Sequence, residues 1–239
     1  MRVIPSASTL CIGLGLLAGL AAGVARADND TGAGDHPNTV LAGLYDVSFA
    51  VHADDIAGPY VPPGLNVRNP SVRTLYLAYL RRLSPHFDAE LALGVPPLTR
   101  TVAKGPATVG SVPYNGQTIA TARWLAPSAL LKYYFFSPDA LFRPYLGFGV
   151  NYTKFNSRQV TPAGEAISGG PTSLSLPVSV GPVGTVGLSW QPLQRVVVNL
   201  SASESWVTST LTTDTAGVLR KSHVEFYPRA IVLAVGYKF

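Results

Sequence analysis

The chain has 239 residues, 47% of them hydrophobic and only 13% charged, about half the charged share of an ordinary soluble domain. The formal net charge is +5, but the basic residues are scattered, never more than two together, with no stripe interleaved with aromatics, which argues against a nucleic-acid partner. A single cysteine, Cys11, excludes a disulfide framework and a thiolate metal site.

Residues 1–27 carry Arg2, an uncharged run from Leu10 to Ala25, and an Ala25-Arg26-Ala27 end, which together read as a cleaved secretory signal peptide. The run is rich in Gly and Ala and falls short of the roughly 20 strongly apolar residues of a spanning helix. Cleavage removes Cys11, Arg2 and Arg26, leaving 16 basic against 13 acidic residues, a net charge of +3. Residues 28–40 follow as an N-terminal periplasmic segment, and 41–239 as one domain. The longest uncharged stretch after the signal, 166–194, holds Pro171, Pro177, Pro182 and Pro192, so no helix crosses a membrane there. An exported, apolar, helix-poor chain is either a soluble sandwich or a closed transmembrane barrel.

Eight segments alternate with period two, the signature of strands. The first sets Tyr45, Val47, Phe49 and Val51 against Asp46 and Ser48. The second sets Leu75, Leu77 and Tyr79 against Tyr76, Ala78 and Leu80. The third sets Phe87, Ala89, Leu91 and Leu93 against Asp88, Glu90 and Ala92. The fourth and fifth set Leu131, Tyr133 and Phe135 against Lys132 and Tyr134, then Leu146, Phe148, Val150 and Tyr152 against Arg143, Tyr145, Gly147 and Asn151. The sixth and seventh set Val186, Leu188 and Trp190 against Thr185, Gly187 and Ser189, then Val196, Val198 and Leu200 against Val197, Asn199 and Ser201. The last sets Ile231, Leu233, Val235, Tyr237 and Phe239 against Val232, Ala234, Gly236 and Lys238.

In a soluble sandwich the second face would be thickly charged. Here it is small and sparsely charged, which suits the narrow interior of an eight-stranded barrel, so the large face meets lipid. Tyr79, Tyr133, Phe135, Tyr237 and Phe239 fall where an aromatic girdle belongs. Short links at 82–86, 137–142 and 191–195 alternate with long ones near 53–73, 97–118, 156–177 and 209–222, as periplasmic turns alternate with extracellular loops. The expected fold class is all-β, an eight-stranded antiparallel transmembrane barrel with both termini on the periplasmic side.

The stretch "LKYYFFSPDALFRPYLGFGVNYTKF" (131–155), the ending "GYKF" and "VNLS" at 198–201 resemble the OmpW family of small outer-membrane barrels, AlkL-like members included. Membership implies a monomer in the Gram-negative outer membrane that lets small hydrophobic solutes cross. The last strand, with Tyr237 and Phe239, also resembles the assembly signal that such barrels present to the barrel-assembly machinery.

Six inward charges are expected, Asp46, Asp88 and Glu90 against Lys132, Arg143 and Lys238. They read as a salt-bridged luminal plug or, alternatively, as an ion-selective path. Pro96 and Pro97 after the third strand and Pro127 before the fourth fall at similar height in neighbouring strands. Proline cannot donate to a ladder, so a gap there would let a solute leave sideways into lipid past Leu98, Trp124 and Leu125. The rival reading makes these prolines mere marks of where strands leave the membrane. Glu204 continues an outward row, so either a bulge re-registers the strand or it lies above the hydrocarbon, the second being expected.

Ser222, His223 and Glu225 are close in sequence, but adjacent strand residues face opposite ways, so no enzyme is expected. No cofactor or metal is implied. The loops, rich in Pro, Gly, Thr and Ala, suit either an apolar funnel or a surface for host or phage contact. The expected function is passive uptake of small hydrophobic molecules; the alternative is a structural or surface-interaction barrel, adhesin-like or receptor-like, without transport.

Overall fold

The computed structural model describes residues 36–53, 55–59, 61, 64–106, 108–109 and 111–239. The expected signal peptide, Cys11 and residues 28–35 lie outside the described residues. In chain order the elements are β1 (Asn38–Ala53), β2 (Asn66–Arg68), β3 (Val72–Arg82), β4 (Phe87–Gly94), β5 (Leu98–Lys104), β6 (Thr108–Val109), β7 (Val112–Pro113), β8 (Thr118–Leu125), β9 (Ser128–Tyr134) and β10 (Phe142–Val160). There follow α1 (Pro162–Ser168), β11 (Thr172–Ser175), β12 (Ser179–Leu193), β13 (Val196–Ser205), β14 (Val207–Thr215) and β15 (Val218–Lys238).

Eight of these strands close a ring in the order β1, β3, β4, β9, β10, β12, β13, β15, every pair antiparallel, with β15 returning to β1. The closing register runs from Thr39↔Lys238 to Ala53↔Val224. At its foot the amide of Asn38 donates to the carbonyl of Phe239 at 3.1 Å and the Phe239 amide returns the bond at 2.9 Å. Closure leaves no open edge, the condition a sheet must meet in hydrocarbon.

The outer face follows the expected alternation on seven strands. Leu131, Leu146, Phe148, Val150, Val186, Leu200, Ile231, Leu233 and Val235 are exposed, while Lys132, Tyr145, Asn199, Val232 and Ala234 are buried inside. Phe87, Tyr133, Phe135, Phe142, Trp190, Tyr237 and Phe239 ring the lower end, where the three short turns lie; Phe142 stacks on Trp190 at 6.2 Å between centroids.

β1 has the opposite parity from the one expected. Val40 and Leu44 face out, while Leu41 and Val47 are buried, with Tyr45 and Phe49 packed inward beside them; the side chain of Val51 is outside the described residues. The cause is register: Leu44 pairs with Leu233 and Leu75, both outward, and cross-strand partners share a face. Side-chain bulk alone misled because the upper lumen is itself filled by bulky groups.

The outward rows of four adjacent strands change from apolar to ionic at matching places. On β3 Leu77 and Leu75 give way to Arg73, on β1 Leu44 to Asp46, on β15 Ile231 to Arg229 and on β13 Ala202 to Glu204. Arg73 pairs with Asp46 at 2.7 Å and Arg229 with Glu204 at 3.1 Å. No bulge disturbs the ladders at Glu204.

The upper connections are largely extended chain rather than plain loops. β8 pairs with the upper half of β10, β5 with β8, and β2 with β5, making one raised panel. β14 pairs with the upper half of β15, and β11 with β14, making another. The β14–β15 turn has only Ala216 and Gly217 between paired residues, with φ of 52° and 87°; both positive values fit the right-handed twist of the flanking strands.

Candidate functional site

The interior has three successive fillings, read upward along β10. At the level of Tyr145 and Gly147 the filling is polar. Lys132 Nζ forms an ion pair with Glu90 Oε2, and both side chains are 2% exposed. The Tyr76 hydroxyl donates to Glu90 Oε1 at 2.9 Å, Lys132 Nζ to the Tyr145 hydroxyl at 3.3 Å, and that hydroxyl to Asn199 Oδ1 at 2.9 Å. The Tyr145 ring fits because position 187 is glycine: a Cβ there would lie 2.5 Å from the phenol oxygen. Nearer the foot, Arg143 covers the ring of Tyr134 at 4.0 Å and donates to the Pro85 carbonyl at 3.0 Å. Asp88 is buried within the fields of Arg143 and Arg82, and Lys238 donates to Gln191.

Of the six charges expected inside, Asp88, Glu90, Lys132, Arg143 and Lys238 are buried there. Asp46 is not: it sits on the outer face, half-exposed and bonded to Arg73. The flipped parity of β1 is the reason.

Above the polar layer lies an apolar one of Val47, Trp124, Phe155, Val207, Val224 and Phe226, joined by Tyr45 and Phe49. Trp124, 3% exposed, lies nearly parallel to Tyr45 at 6.3 Å and edge-on to Phe49 at 5.3 Å. Sequence reasoning missed Tyr45 and Phe49 as luminal groups through the parity error. It missed Phe155 and Phe226 because both lie beyond the segments in which alternation was followed.

Higher still is an apolar cavity of roughly 140 Å³ between the two raised panels. Its floor is Ala122, Phe155, Val224 and Phe226, and its walls include Leu65, Ile119 and Leu211. Tyr114 lines it too, and burial pushes that phenol up to about 12, so it stays neutral and adds no charge to the wall.

The wall beside Trp124 is interrupted. β4 pairs with β9 up to Ala92↔Ser128, and β5 with β8 from Leu98↔Arg123. Residues 93–96 and 125–127, which face each other in between, form no ladder with one another, although each keeps bonds to its other neighbour. Val95 N donates to Leu75 O at 2.9 Å, and Tyr152 N to Pro127 O at 2.9 Å. Pro96, Pro97 and Pro127 occupy this seam. At its top Trp124 N donates to Pro97 O at 3.1 Å. Leu98 is exposed on the outer face, Leu125 is half-buried, and Trp124 stands behind them inside. Pro70 marks a parallel break between β2 and β3, which the sequence reading did not single out.

At the foot of the ring Tyr237 and Phe239 face outward, and the Tyr237 hydroxyl accepts from Arg195 Nη1 at 3.1 Å. Ser222 is buried and His223 exposed, on opposite faces of β15. Among the described residues no three His, Cys, Asp or Glu side chains gather where a metal could bind.

Residues 56–239 match the OmpW family. Over 147 residues the chain is 28% identical to the outer membrane protein W of Vibrio cholerae, a stretch that is 62% of this chain and 65% of that one. The chain thus spans just under two-thirds of the length of this relative. Two solved barrels share the fold. The outer membrane protein OprG of Pseudomonas aeruginosa has a TM-score of 0.76 at 21% identity, covering 86% of this chain and 97% of its own. The outer membrane protein AlkL, solved in lipid bilayers, has a TM-score of 0.63 at 18% identity, covering 88% and 94%. The eight-stranded ring, its lipid-facing rows and the match over 56–239 have one meaning: the chain belongs to the OmpW family and resides in the Gram-negative outer membrane.

Proposed function

We propose that this barrel passes small apolar solutes from the cell exterior into the outer membrane by a route that leaves the lumen sideways. The carrying observation is the sequence of spaces: an apolar cavity above, a wall seam without ladder bonds beside it, and a polar filling below. A solute in the cavity meets Phe155 and Phe226, then Trp124, then the seam at Pro96, Pro97 and Pro127. Downward passage would require breaking the buried Lys132–Glu90 pair, which costs several kcal/mol. Outward passage requires only movement of an indole and of side chains already facing lipid.

The prolines help keep the seam open: none can donate to a ladder, Pro97 faces the gap through its carbonyl, and the carbonyl of Pro127 is turned away to β10, where it accepts from Tyr152 N. Replacing Pro96, Pro97 and Pro127 by Val restores three donors. Cells carrying the triple variant should take up a hydrophobic tracer several-fold more slowly than cells with an equal amount of wild-type barrel; equal rates would refute the sideways route. We further infer that the luminal charges serve as a plug. Tyr237 and Phe239, outward beside the closing strand pair, are taken to be the groups read by the barrel-assembly machinery.

A further inference from the structure

The upper cavity has a greasy floor but a cationic wall. Arg158, Arg220 and Lys221 line it, and no Asp or Glu does so among the described residues. Arg158 reaches the interior through a local irregularity. On β10 the register passes from Asn156↔Arg123 to Gln159↔Thr121, three residues against two, and Ser157 has φ of +48°. This bulge reverses the facing of everything beyond it. Phe155 points inward below it, and Arg158 and Val160 line the cavity above it. In an unbroken strand Arg158 would point away.

Among the described residues both guanidinium groups are held by hydrogen bonds and neither forms an ion pair. Arg220 donates Nε to Pro59 O at 3.3 Å, Nη1 to Thr215 Oγ1 at 3.1 Å and Nη2 to Ser168 O at 3.4 Å. Arg158 donates Nη1 to Leu176 O at 3.0 Å. Every one of these acceptors is uncharged, so the wall is oriented by hydrogen bonds while its positive charge stays available. Asp55 accepts from Gly64 N and Asn66, Asp214 from Gly217 N, and Glu225 from Tyr227, and none of these carboxylates lines the cavity.

We infer that the cavity selects small amphipathic carboxylates, seating the apolar part on Phe155 and Phe226 and the carboxylate against Arg158 and Arg220. Planar guanidinium forks match carboxylate geometry and hold it by charge-assisted bonds. A volume of roughly 140 Å³ is close to the about 150 Å³ that accommodates benzene in an engineered apolar pocket. The fitting solute is therefore one six-membered ring with a short acidic arm. This adds to the uptake reading a binding preference at the route's entrance, for apolar bodies that carry an acidic arm, and rests on that reading of the cavity.

The probe pair is phenylacetate and its neutral counterpart 2-phenylethanol, titrated calorimetrically into the purified full barrel in lipid nanodiscs. The wild type should bind the carboxylate roughly tenfold more tightly, the scale of one charge-assisted bond. That preference should shrink at high salt, fall several-fold in Arg158→Gln/Arg220→Gln, and partly survive in the double Lys variant. Arg158→Gln alone, at the exposed mouth, serves if the double variant does not fold. Equal wild-type affinities, or a preference indifferent to salt and to both substitutions, overturn the inference. Uptake of neutral toluene by cells with the wild-type barrel tests the route separately: failure there with the carboxylate preference intact removes transport and leaves the binding site standing.

Discussion

Trp124→Ala should accelerate uptake of an apolar tracer. The indole is 3% exposed and stands between the cavity floor and the seam, stacked near Tyr45 at 6.3 Å and meeting Phe49 edge-on at 5.3 Å. Each such aromatic pair is worth about 0.5–1.5 kcal/mol beyond area burial. Swinging the ring aside therefore costs roughly 1–3 kcal/mol, or about 5- to 150-fold in rate at 1.4 kcal/mol per tenfold. Alanine removes that barrier, and Trp124→Phe should give an intermediate rate. The substitution also lowers stability by about 3–5 kcal/mol, so rates must be compared at equal amounts of folded barrel in the outer membrane. The assay is the initial rate of tracer uptake by whole cells. An unchanged or slower rate in folded Trp124→Ala barrel would show that solutes do not pass this ring, and the sideways route would fall with it.

Two further outcomes follow from the buried charges and the closing strand. Lys132→Met leaves Glu90 charged and unpaired at 2% exposure, costing about 3–5 kcal/mol, whereas Lys132→Met/Glu90→Leu should recover most of that loss; urea unfolding in lipid vesicles measures both, and equal stabilities would refute the pairing. Phe239→Asp sets a charge in the lower aromatic ring beside the β1–β15 closure. Membrane-inserted protein should fall relative to wild type in fractionated cells, and normal insertion would remove the assembly role.

The ring was legible in the sequence because outward rows such as Ile231, Leu233 and Val235 against Val232, Ala234 and Gly236 alternate without ambiguity. The two raised panels were not, since segments such as Leu98–Lys104 and Thr118–Leu125 carry polar and apolar groups on both faces. Parity failed on β1, where Tyr45, Val47 and Phe49 are as large as lipid-facing groups; the pattern Val40, Ala42, Leu44 lower on the same strand held the correct signal. Pro96, Pro97 and Pro127 could be put at similar height in neighbouring strands from the sequence, because strand spacing and a missing donor are both properties of the residues themselves. Arg158 could not be placed, because its direction depends on a single extra residue near Ser157, and nothing in the residue types there announces a bulge.

The paired ions on the outer faces of β3, β1, β15 and β13 act as a waterline. An arginine carried to the bilayer midplane costs about 2–4 kcal/mol, against about 0–1 near the interface. Arg73 and Arg229, with Asp46 and Glu204, therefore resist sinking on that flank, while the lower aromatic ring resists rising. Lipid must then adapt its thickness to the protein, because the protein cannot slide to suit the lipid. The seam is thus held at one fixed depth, and on the proposed sideways route each solute would be delivered among the same segment of acyl chain.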